Sequence, residues 1–302
     1  MRVECTMPDH QLASGDVRLA LDCANLLGEG PVWVAPEQAL YWVDILAPGI
    51  WRMDVGPGTV DHWVPPCRIS ALAPRQRGGF VAAGEAGLVL LTPSGHQYDV
   101  AAHPEQGIAG NRFNDGGVDL HGQFWVGSMD AAERQPSGHI YRLAGDHSWQ
   151  MLDSNYRVPN GPAFSPDGQA AYLADSARGL VYRYALEPDG AIIARRLFLQ
   201  IPADQGVPDG MATDANGCVW IAFWDGGCVR CYNPDGKVLR QIDLPVPRPT
   251  SCAFGGADLD QLFITSARTG LSAAQLAAAP MAGALFVVTP GVHGWALPEF
   301  SG

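Results

Sequence analysis

Glu29, Asn114, Asn160 and Asp209 each stand 11 to 13 residues ahead of an aromatic residue (Trp42, Trp125, Tyr172 and Trp220), and a glycine follows each within two residues. Taken singly, Asn-Gly and Asp-Gly pairs are hairpin turns. Asp167-Gly168, Asn216-Gly217 and Asp235-Gly236 fall between apolar runs and read that way. Asn160 and Asp209 share the place of Glu29, just before an apolar run begins. Two carboxylates and an amide gathered on one axis are costly to bury unpaired, because like charges repel in a low dielectric. A bound cation resolves that conflict. Hard oxygen donors suit calcium, magnesium, manganese or ferrous iron, and three protein ligands with open positions also admit zinc.

The elements that position these groups repeat. Tyr41-Trp42-Val43-Asp44, Phe80-Val81-Ala82, Phe124-Trp125-Val126-Gly127, Tyr172-Leu173-Ala174-Asp175, Val219-Trp220-Ile221-Ala222 and Leu262-Phe263-Ile264-Thr265 are copies of one strand. Their anchors lie 38, 45, 47, 48 and 43 residues apart, the period of four-stranded blades in a radial array. The pattern predicts an all-β, six-bladed β-propeller forming a single domain over residues 1–302, with 1–14 a flexible N-terminal extension. In such a ring the residues that begin the inner strands surround one mouth of the central channel. The last repeat supplies strands near Pro249–Phe254, Gln261–Thr265 and Ala284–Val288, one short of a blade. The alternating segment Val17 to Asp22 is therefore expected to close the ring as an N-terminal strand. Ser272 to Ala279, opened by an N-cap serine, reads as a short inserted helix.

With 36 Gly, 24 Pro and 17% charged residues, the composition is that of turns and short strands. A net charge of −12 repels phosphate backbones and anionic lipid, so neither nucleic acid nor membrane is an expected partner; small neutral molecules or cations fit better. No basic segment precedes an apolar core near Met1, no 18 apolar residues run together, and seven scattered cysteines suit reduced thiols, which together predict a cytoplasmic protein. Cys228-Val229-Arg230-Cys231 lies within an apparent strand, where residues three apart point to opposite faces, so a zinc or redox pair is not expected.

Leu27-Gly28-Glu29-Gly30-Pro31-Val32-Trp33, Asn111-Arg112-Phe113-Asn114-Asp115-Gly116, Asn160 to Gly168 and Pro208-Asp209-Gly210 resemble, in this order, the motifs of the regucalcin/gluconolactonase family of six-bladed sugar lactonases. Gly255-Gly256 and Arg268-Thr269-Gly270-Leu271-Ser272 resemble its bacterial branch. The resemblance implies that Glu29, Asn160 and Asp209 ligate a divalent cation, calcium first among those named, with Asp209 also the general base. It implies that Arg112 and Asn114 bind the hydroxyls and carbonyl of a sugar lactone, acting on substrate and not on the cation. Ala132 stands where some relatives carry glutamate, which leaves Asp130 or Glu133 as the acidic substrate contact. The implied activity is a metal-dependent aldonolactonase, a carboxylic-ester hydrolase acting on a gluconolactone, xylonolactone or arabinonolactone. The protein is then a monomer or weak homo-oligomer.

The alternative is a non-catalytic calcium-binding regulatory propeller, whose ion would be enclosed by protein. An arylesterase-like propeller would have an apolar pocket, and the pair Arg112 and Asn114 argues for a polyol. On residues alone, Arg112 is either a substrate contact, a rim residue or half of a structural salt bridge, and Trp224 is either pocket wall or core. Gly28-Glu29-Gly30 is no dinucleotide fingerprint, since Trp33 fills the third glycine position.

Overall fold

Short runs of aromatic and β-branched residues, punctuated by turn formers, build six four-stranded antiparallel sheets in the computed structural model, which describes residues 17–56 and 58–302. The segment 1–14, expected to be a flexible extension, lies outside the described residues. Blade 1 consists of Gly28–Val34, Ala39–Asp44, Gly49–Asp54 and Val60–Trp63, in spatial order from the axis outward. The inner strands of blades 2 to 6 are Ile69–Pro74, Asn111–Val118, Pro159–Phe164, Val207–Thr213 and Pro249–Gly255. Each inner strand touches the next and the sixth touches the first, so the six sheets form a closed ring, a six-bladed β-propeller.

Blade 6 holds only Pro249–Gly255, Gln261–Ser266 and Leu285–Val288 from the C-terminal part of the chain. The N-terminal strand Arg18–Leu21 completes it, pairing Arg18 with Val287 and Leu21 with Leu285, as the unpaired edge demanded. The inserted helix spans Ala273–Ala278, and Ser272 and Gln275 form a reciprocal capping box at its start.

The aromatic anchors are buried in the seams between blades. Trp125 meets Phe164 of the next inner strand edge-on at 5.4 Å, and Trp220 meets Phe254 in the same way at 6.0 Å. Their indole N–H groups need partners at such depth. Trp125 donates to Asp119 Oδ2 at 2.8 Å and Trp220 to Asp214 Oδ2 at 3.0 Å, while the other oxygen of each aspartate accepts two backbone N–H groups of the following turn. One carboxylate thus ties the inner strand, its turn and the second strand together. Cys228 packs into the seam between blades 4 and 5 and Cys231 into that between 5 and 6, the opposite faces expected of a strand.

After Val288 the chain crosses the end of the channel remote from the first residues of the inner strands. Trp295 donates to Thr213 Oγ1 at 2.8 Å and Phe300 N donates to Pro74 O at 2.8 Å, both at the last residue of an inner strand. Trp295, Leu297 and Pro298 floor a cavity of about 100 Å³ whose walls come from all six inner strands. The channel is therefore plugged below and open above.

Replacing Asp119 with alanine is expected to strand the Trp125 indole and two backbone donors. The buried indole donor left unmet costs about 1–3 kcal/mol and the two part-buried turn donors less, so Asp119→Ala should lower unfolding free energy by roughly 2–4 kcal/mol in urea titration, and a loss under about 0.5 kcal/mol would refute the tie.

Candidate functional site

Every inner strand carries one extra residue near its start. Glu29 pairs with Val43 and Val32 with Tyr41; Phe113 pairs with Ser128 and Gly116 with Val126; the other four strands shift register in the same place. A bulge of this kind breaks the two-residue alternation and re-aims neighbouring side chains. That is why Asn114 and Asp115, adjacent in sequence, are both buried, as are Glu29, Asn160 and Asp209. The close approach of blades fixes the glycines beside them. A Cβ on Gly210 would lie 2.2 Å from Ser251 Oγ, and Gly161 has φ of +87°, which side chains resist.

The amides form a directed chain. Arg112 Nη1 donates to Asn114 Oδ1 at 2.8 Å and to the Phe113 carbonyl at 2.9 Å. Asn114 Nδ2 donates to Asn160 Oδ1 and to the Pro159 carbonyl, each at 2.9 Å, and Asn160 Nδ2 donates to Ser176 Oγ at 2.7 Å. Ser176 thus fixes which end of the Asn160 amide faces inward. Asn114, expected to serve substrate alone, is joined directly to the candidate ligand Asn160.

The carboxylates repel one another. Burial raises Glu29 well above the usual carboxylate range, and the charges of Asp209 and Asp115 push it further. Burial likewise raises Asp209, with Asp115 adding to it. Asp115 itself is pushed by burial up to about 6, against the pull of backbone N–H bonds from Gly161 at 2.7 Å and Gly116 at 2.8 Å. Sequence reasoning passed over Asp115 because alternation would turn it away from Asn114; the bulge is the missing signal. Glu29, Asp209 and the Asn160 amide offer oxygen atoms of the kind a divalent cation takes, and repulsion between acids is what such an ion relieves.

A second group of ligand-type atoms, Asp214, Cys218 and Cys231, lies within 4.8 Å in blade 5. Both Asp214 oxygens are already taken by Trp220 and the turn, and the Cys231 thiol is held far up, chiefly through its contact with Cys218, so no thiolate is on offer there.

A cavity of about 320 Å³ lies between blades 2 and 3, with Arg112, Asn111, Arg68 and Ser70 among its lining and Ile45 and Phe113 as apolar wall. Arg112 reaches both cavity and cluster, and no salt bridge holds it among the described residues. Asp130 is engaged elsewhere. Its carboxylate accepts the backbone N–H groups of Ala132, Arg134 and Gln135, capping the turn that follows its strand. Of the two acids put forward for substrate, Glu133 is the one whose charge reaches Arg112 and Asp209. Glu105, another residue the sequence gave no reason to choose, is buried under the cavity and accepts from Asn111 at 2.9 Å, Tyr141 at 2.9 Å and the Ser128 hydroxyl. Trp224 is half-buried at the rim, with the Arg248 guanidinium 4.7 Å over its ring.

A plugged propeller with buried carboxylates at its mouth and a polar cavity beside them is the architecture of a propeller enzyme or ion-binding protein. The chain belongs to the SMP-30/gluconolactonase/LRE-like family, whose model matches residues 27–268. It is 40% identical over 279 residues to a 6-deoxy-6-sulfogluconolactonase of Pseudomonas putida, covering 92% of this chain and 96% of that one. It is 35% identical over 252 residues to a pentonolactonase of Haloferax volcanii, covering 83% and 85%. Among solved structures it is similar to a calcium-binding protein, regucalcin, from Agrobacterium tumefaciens, with TM-score 0.90, 29% identity and coverage of 94% and 96%.

Raised carboxylates mean that the native state holds more protons than the unfolded chain, so stability falls as pH rises from the ordinary carboxylate range through the folded values. Chelator-treated protein should therefore melt higher at about pH 5 than at about pH 7.5, and Asp209→Asn should flatten that slope. Parallel melting profiles for the variant and the parent would show that Asp209 is not under this strain.

Proposed function

We propose that the protein is a metal-dependent sugar lactonase that opens an aldono-lactone of the gluconolactone, xylonolactone or arabinonolactone type to its sugar acid. The observation that carries this reading is the junction of a buried hard-oxygen cluster with an open polar cavity, bridged by Arg112. The names of the relatives support a lactone substrate. A regulatory calcium site would be enclosed by protein, and an arylesterase pocket would lack such groups as Arg68, Arg112 and Asn111, which line this cavity and suit a polyol. The reading carries with it a cytoplasmic enzyme, monomeric or weakly self-associating.

Glu29, Asn160 and Asp209 would hold one divalent cation, calcium first, with ferrous iron, zinc, manganese and magnesium as the other candidates. Bound there, such an ion supplies Lewis-acid polarisation of the ring carbonyl and neutralises the converging carboxylates. Asp209 would accept a proton from the attacking water, whose oxygen bonds to the carbonyl carbon. As the ring C–O bond breaks, that proton passes to the departing ring oxygen, giving the hydroxy acid. Arg112, with Nη1 committed to Asn114 and Phe113, has its remaining N–H groups for the lactone. Glu133, and not Asp130, is the acid suited to accept from sugar hydroxyls.

Acid release from a panel of aldonolactones, measured with metal-stripped and metal-restored protein, tests the reading. Activity should return with the cation, and no release from any lactone with any of the five ions would overturn it. In metal-saturated protein Asp209→Asn should lose about 10²-fold or more in kcat, the usual scale for a general base. Turnover near that of the parent would move the base elsewhere.

Arg112→Ala should lower kcat/KM by about 10- to 150-fold while the melting temperature moves little, because no carboxylate is left unpaired. Asn114→Ala should in addition weaken cation affinity in calorimetric titration, since Asn160 loses a donor. Unfolding of either variant without a kinetic defect would assign these residues to the fold.

A further inference from the structure

The mouth positions of the ring are not equivalent. Blades 1, 3, 4 and 5 bring Glu29, Asn114, Asn160 and Asp209 to the mouth, whereas blade 2 brings Arg68 immediately ahead of its inner strand Ile69–Pro74. Arg68 and Arg112 line the same cavity. Two guanidinium groups facing one space repel, and Arg68 adds to the burial that draws Arg112 below the usual guanidinium range, against the opposing pull of Glu133 and Glu29. Arg68 Nε is buried without a hydrogen-bond partner among the described residues, an arrangement that calls for an acceptor.

The acids nearby do not supply one. Glu105 is spent on Ser128, Tyr141, His139 and Asn111. Glu85 stands 3.4 Å from Arg68 Nη1, but their side chains are 58% and 41% exposed, and ion pairs of that kind hold weakly. The other groups around the space, Asn111 and Ser70, are fixed by bonds of their own, Asn111 to Glu105 and to the Ser137 carbonyl, Ser70 to the Ala83 carbonyl. Arg68 Nε thus remains a buried donor facing this space without an acceptor among the described residues.

Blade 2 lies across the six-membered ring from blade 5, which carries Asp209. Arg112, on the neighbouring blade 3, joins this side of the ring to the oxygen cluster through Asn114. We propose that Arg68 and Arg112 form an anion subsite, and that the preferred substrate is a sugar lactone bearing a sulfonate, phosphate or carboxylate at the end remote from its carbonyl. Guanidinium forks match the geometry of such oxyanions. A local pair is also what an anionic substrate needs to approach a protein of net charge −12. This assignment rests on the lactonase reading for its chemistry and on Arg68 for its selectivity.

The test compares gluconolactone with its 6-sulfonate, 6-phosphate and 6-carboxylate analogues, using cation-loaded parent, Arg68→Gln and Arg68→Lys. At least one anionic lactone should exceed the neutral one by tenfold or more in kcat/KM, and the three arms identify which oxyanion is preferred. Arg68→Gln should shrink that ratio by tenfold or more, mainly through KM, and Arg68→Lys should recover part of it. Binding of the corresponding sugar acids by calorimetry, which needs no turnover, should weaken in parallel. Preference for the neutral lactone over all three analogues, or an equal loss on all four substrates in Arg68→Gln, overturns the subsite and leaves the lactonase intact. If no lactone is cleaved, the lactonase reading fails, and calorimetry alone decides the subsite: tighter binding of the anionic acids that depends on Arg68 supports it, and equal binding of neutral and anionic acids ends it.

Discussion

Three carboxylates, Glu29, Asp115 and Asp209, are buried around one axis, and the repulsion among them is the constraint to which the mouth of the channel is fitted. Water would screen such charges; the interior does not. The chain answers with oriented dipoles. Gly161 and Gly116 each turn a backbone N–H onto Asp115, Gly30 turns one onto Glu29 at 3.2 Å, and Arg112 puts a positive charge at the flank. These offsets are partial, since all three acids remain raised. The unrelieved part is a repulsion that the fold maintains by holding the acids together.

That holding is done by parts remote from the mouth. Each inner strand is clamped to its neighbours by a buried aromatic anchor, and in blades 3 and 5 by an aspartate that joins indole and turn. The C-terminal tail closes the opposite end, so the acids cannot gain solvent from below. Relaxing the repulsion by spreading the blades would open seams filled by Trp125, Trp220 and Phe263. Loss of that packing is costly, which resists any relief of the repulsion by that route.

The ring itself was legible because its determinants are local and repeated: the spacing of the anchors, the missing strand of the last blade and the capped helix after Ser272 all follow from sequence order. Glu29, Asn160 and Asp209 could be selected because a shared place in a repeat maps to a shared place in space. Asp115, Arg68 and Glu105 could not. Asp115 turns inward only because one extra residue in its strand cancels alternation. Glu105 gains its partners from Ser128, His139 and Tyr141, which lie 23 to 36 residues away in sequence. Asp130 is the converse case: an aspartate ahead of a turn can bond its own backbone, and here it does.

The division between legible and illegible residues also divides what the fold can vary. Asn160 is bonded to Asn114 and Ser176, so a change there disturbs several contacts at once. Arg68 is part-exposed, precedes its strand and makes a single loose ion pair. A change at residue 68 alters the charge of the cavity with little effect on packing. The oxygen cluster is thereby tied to the stability of the ring, whereas Arg68 is not. A propeller built this way can keep the groups at its axis fixed while the charge at the mouth of a single blade varies.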